Sequence, residues 1–438
     1  MKKYSFRGGI HPLHEQHEGK SKTSGSPIVA FAPNSVRIPM NMHLGKPSVP
    51  CVQKGDHVLV GQIIGQAADT RGIPVHASIS GEVTDVSSVQ QFNATPCVCI
   101  TIQNDFLNTW VELDALGNVE SAPKDRIIPA IQAAGICGMG GAGFPTHAKL
   151  RLPEGKTVDT ILVNGAECET FLTSDHRLML ESPNRVVDGL RAVMRAADVS
   201  RGIIAIEDNK PDAISAMEKA AQGREGVTVA VLKTKYPQGG EKQLITAVTG
   251  REVPSGGLPM DAHVVVINAG TAAAIADAII EGKPLVSRVT TVTGAVQSPA
   301  NLLLPIGTTF ADAIGSAGGY SGEPGKVFAG GSMTGICVPD DTVSVTKTVN
   351  GIVVLSQKEA KTPQEIQCIR CGRCIDACPV GLIPYRLMDL AVREELDTAQ
   401  KEHIKDCILC GSCSYVCPSK RWLVASIKIA KEQLVRRS

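Results

Sequence analysis

A chain of 438 residues with 44 basic and 43 acidic side chains has a net charge of +1. That balance argues against a nucleic-acid binder or a generally basic, membrane-seeking surface, and an aromatic content of 3 % disfavours base-stacking platforms. The length predicts three or four domains, and 43 % apolar residues suffice for large cores.

Residues 1–115 form the first predicted domain. The start, MKKYSF, has no apolar leader, so no export is expected. Phe6-Arg7-Gly8-Gly9-Ile10-His11-Pro12 reads as an extended arm with no assignable chemistry. His11, His14 and His17 cluster in this polar stretch, where solvation explains them better than a metal. Short β-branched runs, broken at Gly55-Asp56, Gly61-Gln62 and Ser80-Gly81, predict a small all-β sandwich or barrel. It resembles the barrel-sandwich hybrid of lipoyl and biotinyl carriers, which present a modifiable lysine at a hairpin tip. Residues 62–81 contain no lysine, so a docking or scaffold role is expected instead.

Residues 116–282 alternate strand and helix patterns. Helices are predicted over 127–136, 183–197, 211–221, 241–250 and 271–282, and strands over 160–163, 203–206, 227–232 and 263–268. The longest apolar stretch, 263–280, carries Asp277 and a turn-like Asn-Ala-Gly, so it is a strand and buried helix rather than a membrane span. Repeated β-α units imply a mostly parallel, helix-covered sheet, whose ligands sit beyond the carboxyl ends of the strands. Residues 283–360 return to short strands over 287–294, 326–331 and 342–355, with one helix within 308–319. They predict a small α+β module, followed by a polar linker from Lys358 to Pro363.

Residues 361–438 carry the strongest signal. Cys368, Cys371, Cys374 and Cys378 are followed by Pro379, and Cys407, Cys410, Cys413 and Cys417 by Pro418. Each run is C-x-x-C-x-x-C-x-x-x-C-P, the bacterial spacing for two [4Fe–4S] clusters. In two-cluster ferredoxins the fourth Cys serves the other cluster. One cluster is expected on Cys368, Cys371, Cys374 and Cys417, and the other on Cys407, Cys410, Cys413 and Cys378. Zinc sites usually use two C-x-x-C pairs, and disulfides need an oxidising compartment. The remaining six cysteines, Cys51, Cys97, Cys99, Cys137, Cys168 and Cys337, share no ligand spacing and read mostly as small buried hydrophobes.

A second signal is Gly138-Met139-Gly140-Gly141-Ala142-Gly143. It follows a helix pattern, so it is not a dinucleotide fingerprint in its usual place. Four glycines in six residues still let backbone N–H groups approach a phosphate or a flat ring.

GMGGAGFPTHAKL resembles the flavin loop of the NADH-binding subunit of respiratory complex I. VNGAECETFLTSDHR resembles that family's acidic flavin segment, and YPQGGEKQL, TGREVPSGGLP and INAGT follow in the same order. With the opening arm, β domain and eight C-terminal cysteines, the whole chain resembles the RnfC family. These proteins are one component of Rnf complexes, the ion-translocating ferredoxin:NAD oxidoreductases of bacterial membranes. The resemblance implies non-covalent FMN and NAD(H) as substrate. Gly138, Gly140, Gly141 and Gly143 would line the flavin, with Lys149 near its phosphate. Asn164, Glu167 and Glu169 would contact isoalloxazine, ribityl or nicotinamide groups. Gly240 and Glu241 would shape the pocket, and Asn268 and Thr271 would hold phosphate. Three positions depart from the complex I pattern: Thr170 stands where a Pro follows the second Glu, Glu241-Lys242 replaces a Glu pair, and Gly270 replaces an acid. They weaken the carry-over for the nucleotide more than for the flavin. Residues 283–335 resemble the soluble-ligand-binding β-grasp domain of the same families.

The implied chemistry is an electrical path between two clusters, FMN and NAD(H). A flavin belongs there because it exchanges both electron pairs and single electrons. The expected place is the cytoplasmic face of the membrane, peripheral, beside other Rnf subunits: membrane subunits and a ferredoxin-like electron-entry subunit, with ferredoxin acting indirectly. No catalytic side chain and no nucleic-acid partner are expected. Alternatives are a soluble NADH dehydrogenase module feeding another reductase, and a cluster-bearing adaptor without NAD chemistry.

Overall fold

The structure, a computed structural model, describes residues 2–12, 17–92 and 96–437, with the backbone alone at 17 and 18. His14 and the side chain of His17 lie outside these described residues. The N-terminal β-branched runs form two small antiparallel sheets. Ser35–Pro39, Pro96–Asn104, Gly81–Gln90 and His57–Val58 make one, and Val49–Pro50, Ile63–Gln66 and Val75–His76 the other. Val36, Ile38, Ile64, Ile100 and Ile102 fill the space between them by period-two alternation. The same apolar core runs on through Met42, Ile127, Ile131 and Ile136 into the next domain, so the two domains share one interior.

The central domain carries α1 (Lys124–Ala133), α2 (Thr146–Leu150), α3 (Ser174–Glu181), α4 (Pro183–Ala196), α5 (Pro211–Ala221), α6 (Glu241–Thr249) and α7 (Ala269–Ile280). Four strands, Thr160–Gly165, Gly202–Glu207, Val227–Leu232 and Val264–Asn268, form a fully parallel sheet. α5 and the Val227–Leu232 strand have the bounds that periodicity predicts. α1 lies three residues earlier than expected, and α3 occupies a stretch without a strong periodic pattern. In space the strands run third, second, first, fourth. The winding reverses between the first and the fourth, and a crevice opens beyond their carboxyl ends.

The following module is a six-stranded sheet with α8 (Phe310–Ser316). Its edge strand is Ile28–Ala30, donated from the N-terminal region and paired in parallel with Ala300–Pro305. Of the strand expected over 342–355, only Gly351–Ser356 forms. The rest is a turn that carries Lys347, a buried lysine. Its Nζ donates to the carbonyls of Pro74 (3.1 Å) and Gly135 (2.7 Å), tying three modules together. The C-terminal module packs α10 (Pro384–Val392) against α13 (Leu423–Arg437), with the short helices α9 (Arg373–Asp376), α11 (Leu396–Lys401) and α12 (Ser412–Tyr415) around them.

His76 sits in the seam beside Lys347, 4 % exposed, and its Nδ1 has no hydrogen-bond partner among the described residues. Burial, and then the Lys347 charge, hold its imidazole down at about 3. The unfolded chain therefore takes up a proton first as pH falls through the ordinary histidine value. Stability is lost from about pH 6.5 downward, at about 1.4 kcal/mol per pH unit for this group. His76→Gln should flatten that slope in chemical denaturation between pH 7 and pH 4; an unchanged slope would contradict the assignment.

Candidate functional site

Asn164, one residue before the end of the first strand, and Asn268, at the end of the fourth, stand opposite each other in register. They mark the reversal of winding. Asn268 caps α7: its Oδ1 accepts from the Gly270 and Thr271 amides at 2.8 and 3.3 Å. Its Nδ2 donates to Asp175 at 2.6 Å. Asn164 Nδ2 donates to the Gly239 carbonyl at 2.8 Å. The glycine loop lies against these ends. The Gly138 N–H closes it on the Phe144 carbonyl at 2.9 Å, and the Met139 N–H donates to Thr271 Oγ1 at 2.9 Å. A Cβ on Gly140 would lie 3.0 Å from Asn268 Nδ2, and one on Gly143, at φ +70°, would press on Thr348 and Met42. One on Gly141 would meet nothing within 4 Å. The loop is thus anchored on one side and open on the other. Bare backbone beside strand ends and a helix N-terminus suits a phosphate or a flat ring. The residues present fit FMN.

The other expected cofactor residues divide into smaller groups. Lys149, on α2, donates to Glu241 at 3.0 Å and to the Val266 carbonyl at 2.9 Å, so two of them meet each other. Gly240 precedes α6, where a Cβ would lie 2.5 Å from Gln243 Oε1. Glu167 and Glu169 point in different directions. The Glu167 carboxylate accepts from the Asp175 and His176 amides, at 2.7 and 3.1 Å, and caps α3. Glu169 accepts from the Met333 amide (2.7 Å) and the Thr334 hydroxyl (2.8 Å). Burial pushes its carboxyl above the ordinary value, and those two donors oppose the push.

Several participants have no local sequence signal. Lys20 donates to the carbonyls of Glu167, Glu169 and Leu172 at 2.6–2.8 Å and fastens the acidic segment from below. Arg288, fully buried, donates to the Met139 and Lys347 carbonyls and supports the glycine loop. Asp175 lies beneath Asn268. Burial, and then Glu167, raise it to about 6, while Arg288 opposes them.

The eight thiols stand around two cavities. Cys368, Cys371, Cys374 and Cys417 border one, and Cys378, Cys407, Cys410 and Cys413 the other. These are the crossed quartets expected from the spacing: each run sends its fourth cysteine to the other group. The two loops repeat one backbone. Arg370 and Leu409 are left-handed at φ +52° and +55°, as are Gly372 and Gly411 at +78° and +79°. Amide N–H groups already point at sulfur: Arg370 at Cys368 (3.4 Å) and Leu382 at Cys378 (3.3 Å). Burial raises the Cys413 thiol to about 12; a coordinated iron deprotonates such thiols outright. Both quartets fit [4Fe–4S] clusters. Of the other six cysteines, only Cys99 and Cys137 are buried. Cys97 and Cys168 are half-buried, and Cys51 and Cys337 are exposed, which corrects the expectation of mostly buried thiols. An edge position explains Cys337, which closes a two-residue edge strand.

The second quartet adjoins the crevice. The buried Tyr236 hydroxyl donates to the Cys410 carbonyl at 2.7 Å. Its ring packs with Ile10 and Ala377, and Cys168, Met333 and Cys410 close the same cluster. Gly239, three residues on, donates to Cys168 Sγ at 3.1 Å. The opening arm, which carried no chemistry in sequence, threads this seam. The Gly9 N–H donates to the Ala377 carbonyl (3.0 Å), and Ile10 exchanges two backbone hydrogen bonds with Tyr236. A Cβ on Gly8 would lie 2.5 Å from the Cys378 carbonyl, so the arm needs glycine there.

Gly143→Val forces a β-branched residue into left-handed backbone, at about 1–2 kcal/mol, and into Thr348. Bound flavin should be lost while iron content stays; retained flavin absorbance would sink the loop assignment. Cys371→Ser should remove one cluster and about half the iron, and unchanged iron analysis would refute that ligand set.

Residues 131–277 match the Nuo51 FMN-binding domain, 4–107 the RnfC barrel sandwich hybrid domain, 289–336 the SLBB domain and 367–421 the 4Fe-4S dicluster domain. A solved NAD+-reducing [NiFe]-hydrogenase shares the fold over 74 % of this chain and 63 % of its own, with a TM-score of 0.51 at 19 % identity. The C-type subunit of the Na(+)-translocating ferredoxin:NAD(+) oxidoreductase complex of Acetobacterium woodii is 43 % identical, covering 99 % of this chain and 98 % of that one. The C-type subunit of the proton-translocating ferredoxin:NAD(+) oxidoreductase complex of Clostridium ljungdahlii is 44 % identical, covering 98 % and 94 %. At this identity over nearly the whole length, the chain belongs to the RnfC family, the C-type subunits of ion-translocating ferredoxin:NAD+ oxidoreductase complexes.

Proposed function

We propose that this chain is the NAD(H)-oxidoreducing subunit of a membrane-bound ferredoxin:NAD+ oxidoreductase, passing electrons between two [4Fe–4S] clusters, FMN and NAD(H). One observation carries the reading: the turn from Tyr236 to Gly239 accepts from Asn164 at the crevice and, through the Tyr236 hydroxyl, donates to Cys410 at the Cys378–Cys407–Cys410–Cys413 cavity, packed with Cys168 and Met333. Bound FMN supplies the exchange between two-electron and one-electron chemistry.

The residues of this chain position and insulate. Gly138, Gly140, Gly141 and Gly143 give the flavin a side-chain-free wall. Asn164, Asn268 and Thr271 set the floor at the strand ends, and the Lys149–Glu241 pair and Gly240 bound the side where α6 begins. Glu167 acts through α3, whose first turn it holds beneath Asn268. Glu169 holds the 331–334 loop against the seam. Apolar packing around Tyr236 keeps water out and lowers the local dielectric, which helps to set cluster potential.

The named relatives translocate Na+ or protons as complexes. Among the described residues of this chain no helix is long and apolar enough to cross a membrane. In this reading translocation falls to membrane subunits. This chain sits peripherally at the cytoplasmic face, with a ferredoxin-like subunit bringing electrons from ferredoxin.

The test is NADH added to protein purified without oxygen, with flavin absorbance and low-temperature EPR followed together. Flavin bleaching with an iron–sulfur signal is the expected result. Clusters that dithionite reduces but NADH does not, in protein that retains flavin, would refute the path.

A further inference from the structure

Cys97 and Cys99 lie two residues apart on the Pro96–Asn104 strand, so their side chains share one face. Their sulfurs stand 3.8 Å apart, and one thiol donates to the other. Cys97 is half-buried and Cys99 buried, so only the first meets solvent. The hydrogen bond with Cys99 holds the Cys97 thiol below its ordinary value against burial, with help from the Asn41 backbone. Thiolate character at a reachable sulfur beside a second thiol is the arrangement of a redox-active pair. Extended backbone sets their Cα atoms roughly 6.8 Å apart, the upper end of the disulfide span. A bond between them pinches the strand and is readily reduced.

The backbone beside this pair runs to the glycine loop. Val98, between the two cysteines, accepts from the Met40 N–H at 2.9 Å. The Met42 carbonyl accepts from the Cys137 thiol at 3.8 Å and lies 3.3 Å from where a Cβ on Gly143 would stand. The Leu44 N–H donates to the Gly143 carbonyl at 3.0 Å. Residues 40–44 are thus a strap with the thiol pair at one end and Gly143 at the other. On its other side Cys99 accepts from Gln91 Nε2 at 3.6 Å, and Gln91 Oε1 accepts from the Ser344 N–H at 3.2 Å.

We infer that Cys97 and Cys99 are a reversible oxidation site, which a hydroperoxide converts to a disulfide and which then loosens the strap on the glycine loop. The site stands on the geometry of the thiols, and its effect on flavin rests on the proposed function. The Cys97 thiolate attacks the hydroperoxide: an S–O bond forms, the O–O bond breaks, and the leaving oxygen takes up a proton as water or an alcohol. The Cys99 sulfur then attacks the sulfenic Cys97. The S–S bond forms, the S–O bond breaks, and hydroxide leaves with the Cys99 proton as water. The two thiols lose two electrons and the hydroperoxide gains them. A small dithiol reverses the change by exchange.

The experiment uses the full chain loaded with both clusters and FMN, kept free of oxygen. The probe is hydrogen peroxide at one molar equivalent. Alkylation with peptide mass spectrometry follows Cys97 and Cys99, while iron content is measured in parallel. The peptide holding both should lose two hydrogens and close to alkylation before iron is released, and a small dithiol should reopen it. Cys97→Ser should leave Cys99 reduced. Cys99→Ser should stop at a sulfenic Cys97, which a cyclic diketone traps. On disulfide formation FMN affinity should fall about fivefold or more, the lower end of usual coupling between sites. The same peroxide should leave the FMN affinity of Cys99→Ser unchanged. Iron lost while the peptide stays open to alkylation would overturn the site. A disulfide with unaltered FMN affinity would overturn its effect on the loop. If the reduced chain binds no FMN, the proposed function fails, while the peptide mass still decides the thiol pair.

Discussion

The Tyr236 hydroxyl gives its hydrogen bond to the carbonyl of Cys410, a residue of the second thiol quartet. Tyr236 belongs to the Tyr-Pro-Gln-Gly-Gly turn at the carboxyl edge of the central sheet, and that turn also receives the side chain of Asn164 at Gly239. One short turn therefore holds a strand end on one side and a cluster loop on the other. Electron exchange requires two centres to keep a fixed, dry separation. A buried hydroxyl bonded across the boundary serves this better than a rim of surface charges would, because water and salt do not compete with it.

The crevice depends on a similar economy of backbone. Parallel pairing places Asn164 opposite Asn268 where the winding reverses. The glycine loop is then pinned by the Met139 N–H to Thr271 and by Arg288 to the Met139 carbonyl. Arg288 comes from the β-grasp module. That module therefore acts on the site through rigidity: it fills the underside of a loop whose glycines would otherwise leave it mobile.

Much of this was legible in the sequence. The cysteine spacing carries its own geometry, since three ligands on a tight loop need a fourth from elsewhere, and the crossed quartets follow. Period-two and period-3.6 patterns located the central strands and helices because each buries one continuous face. Chemistry that depends on distant pairing was not legible. Glu167 looks like a ligand in sequence because two acids follow a strand end, yet its carboxylate is committed to the first turn of α3. Lys20 lies more than 140 residues from the carbonyls it holds. The strand Ile28–Ala30 is too short to show a period, and it exists because the β-grasp sheet offers it an edge.

The first thirty residues have a temporal consequence. Tyr4 bonds to Val231, Gly9 to Ala377 and Ala30 pairs with Leu303. During synthesis this segment leaves the ribosome before its partners, the last of which emerges more than 360 residues later. The arm can pair with Val231 and Tyr236 part-way through, but its contact with Ala377 waits for the cluster module. At the 5–20 residues per second of chain growth, that wait is on the order of half a minute. Gly8 seats against the carbonyl of Cys378, a cluster residue. This early-made latch thus closes over a loop made much later, and closure records that the cluster module has reached its place.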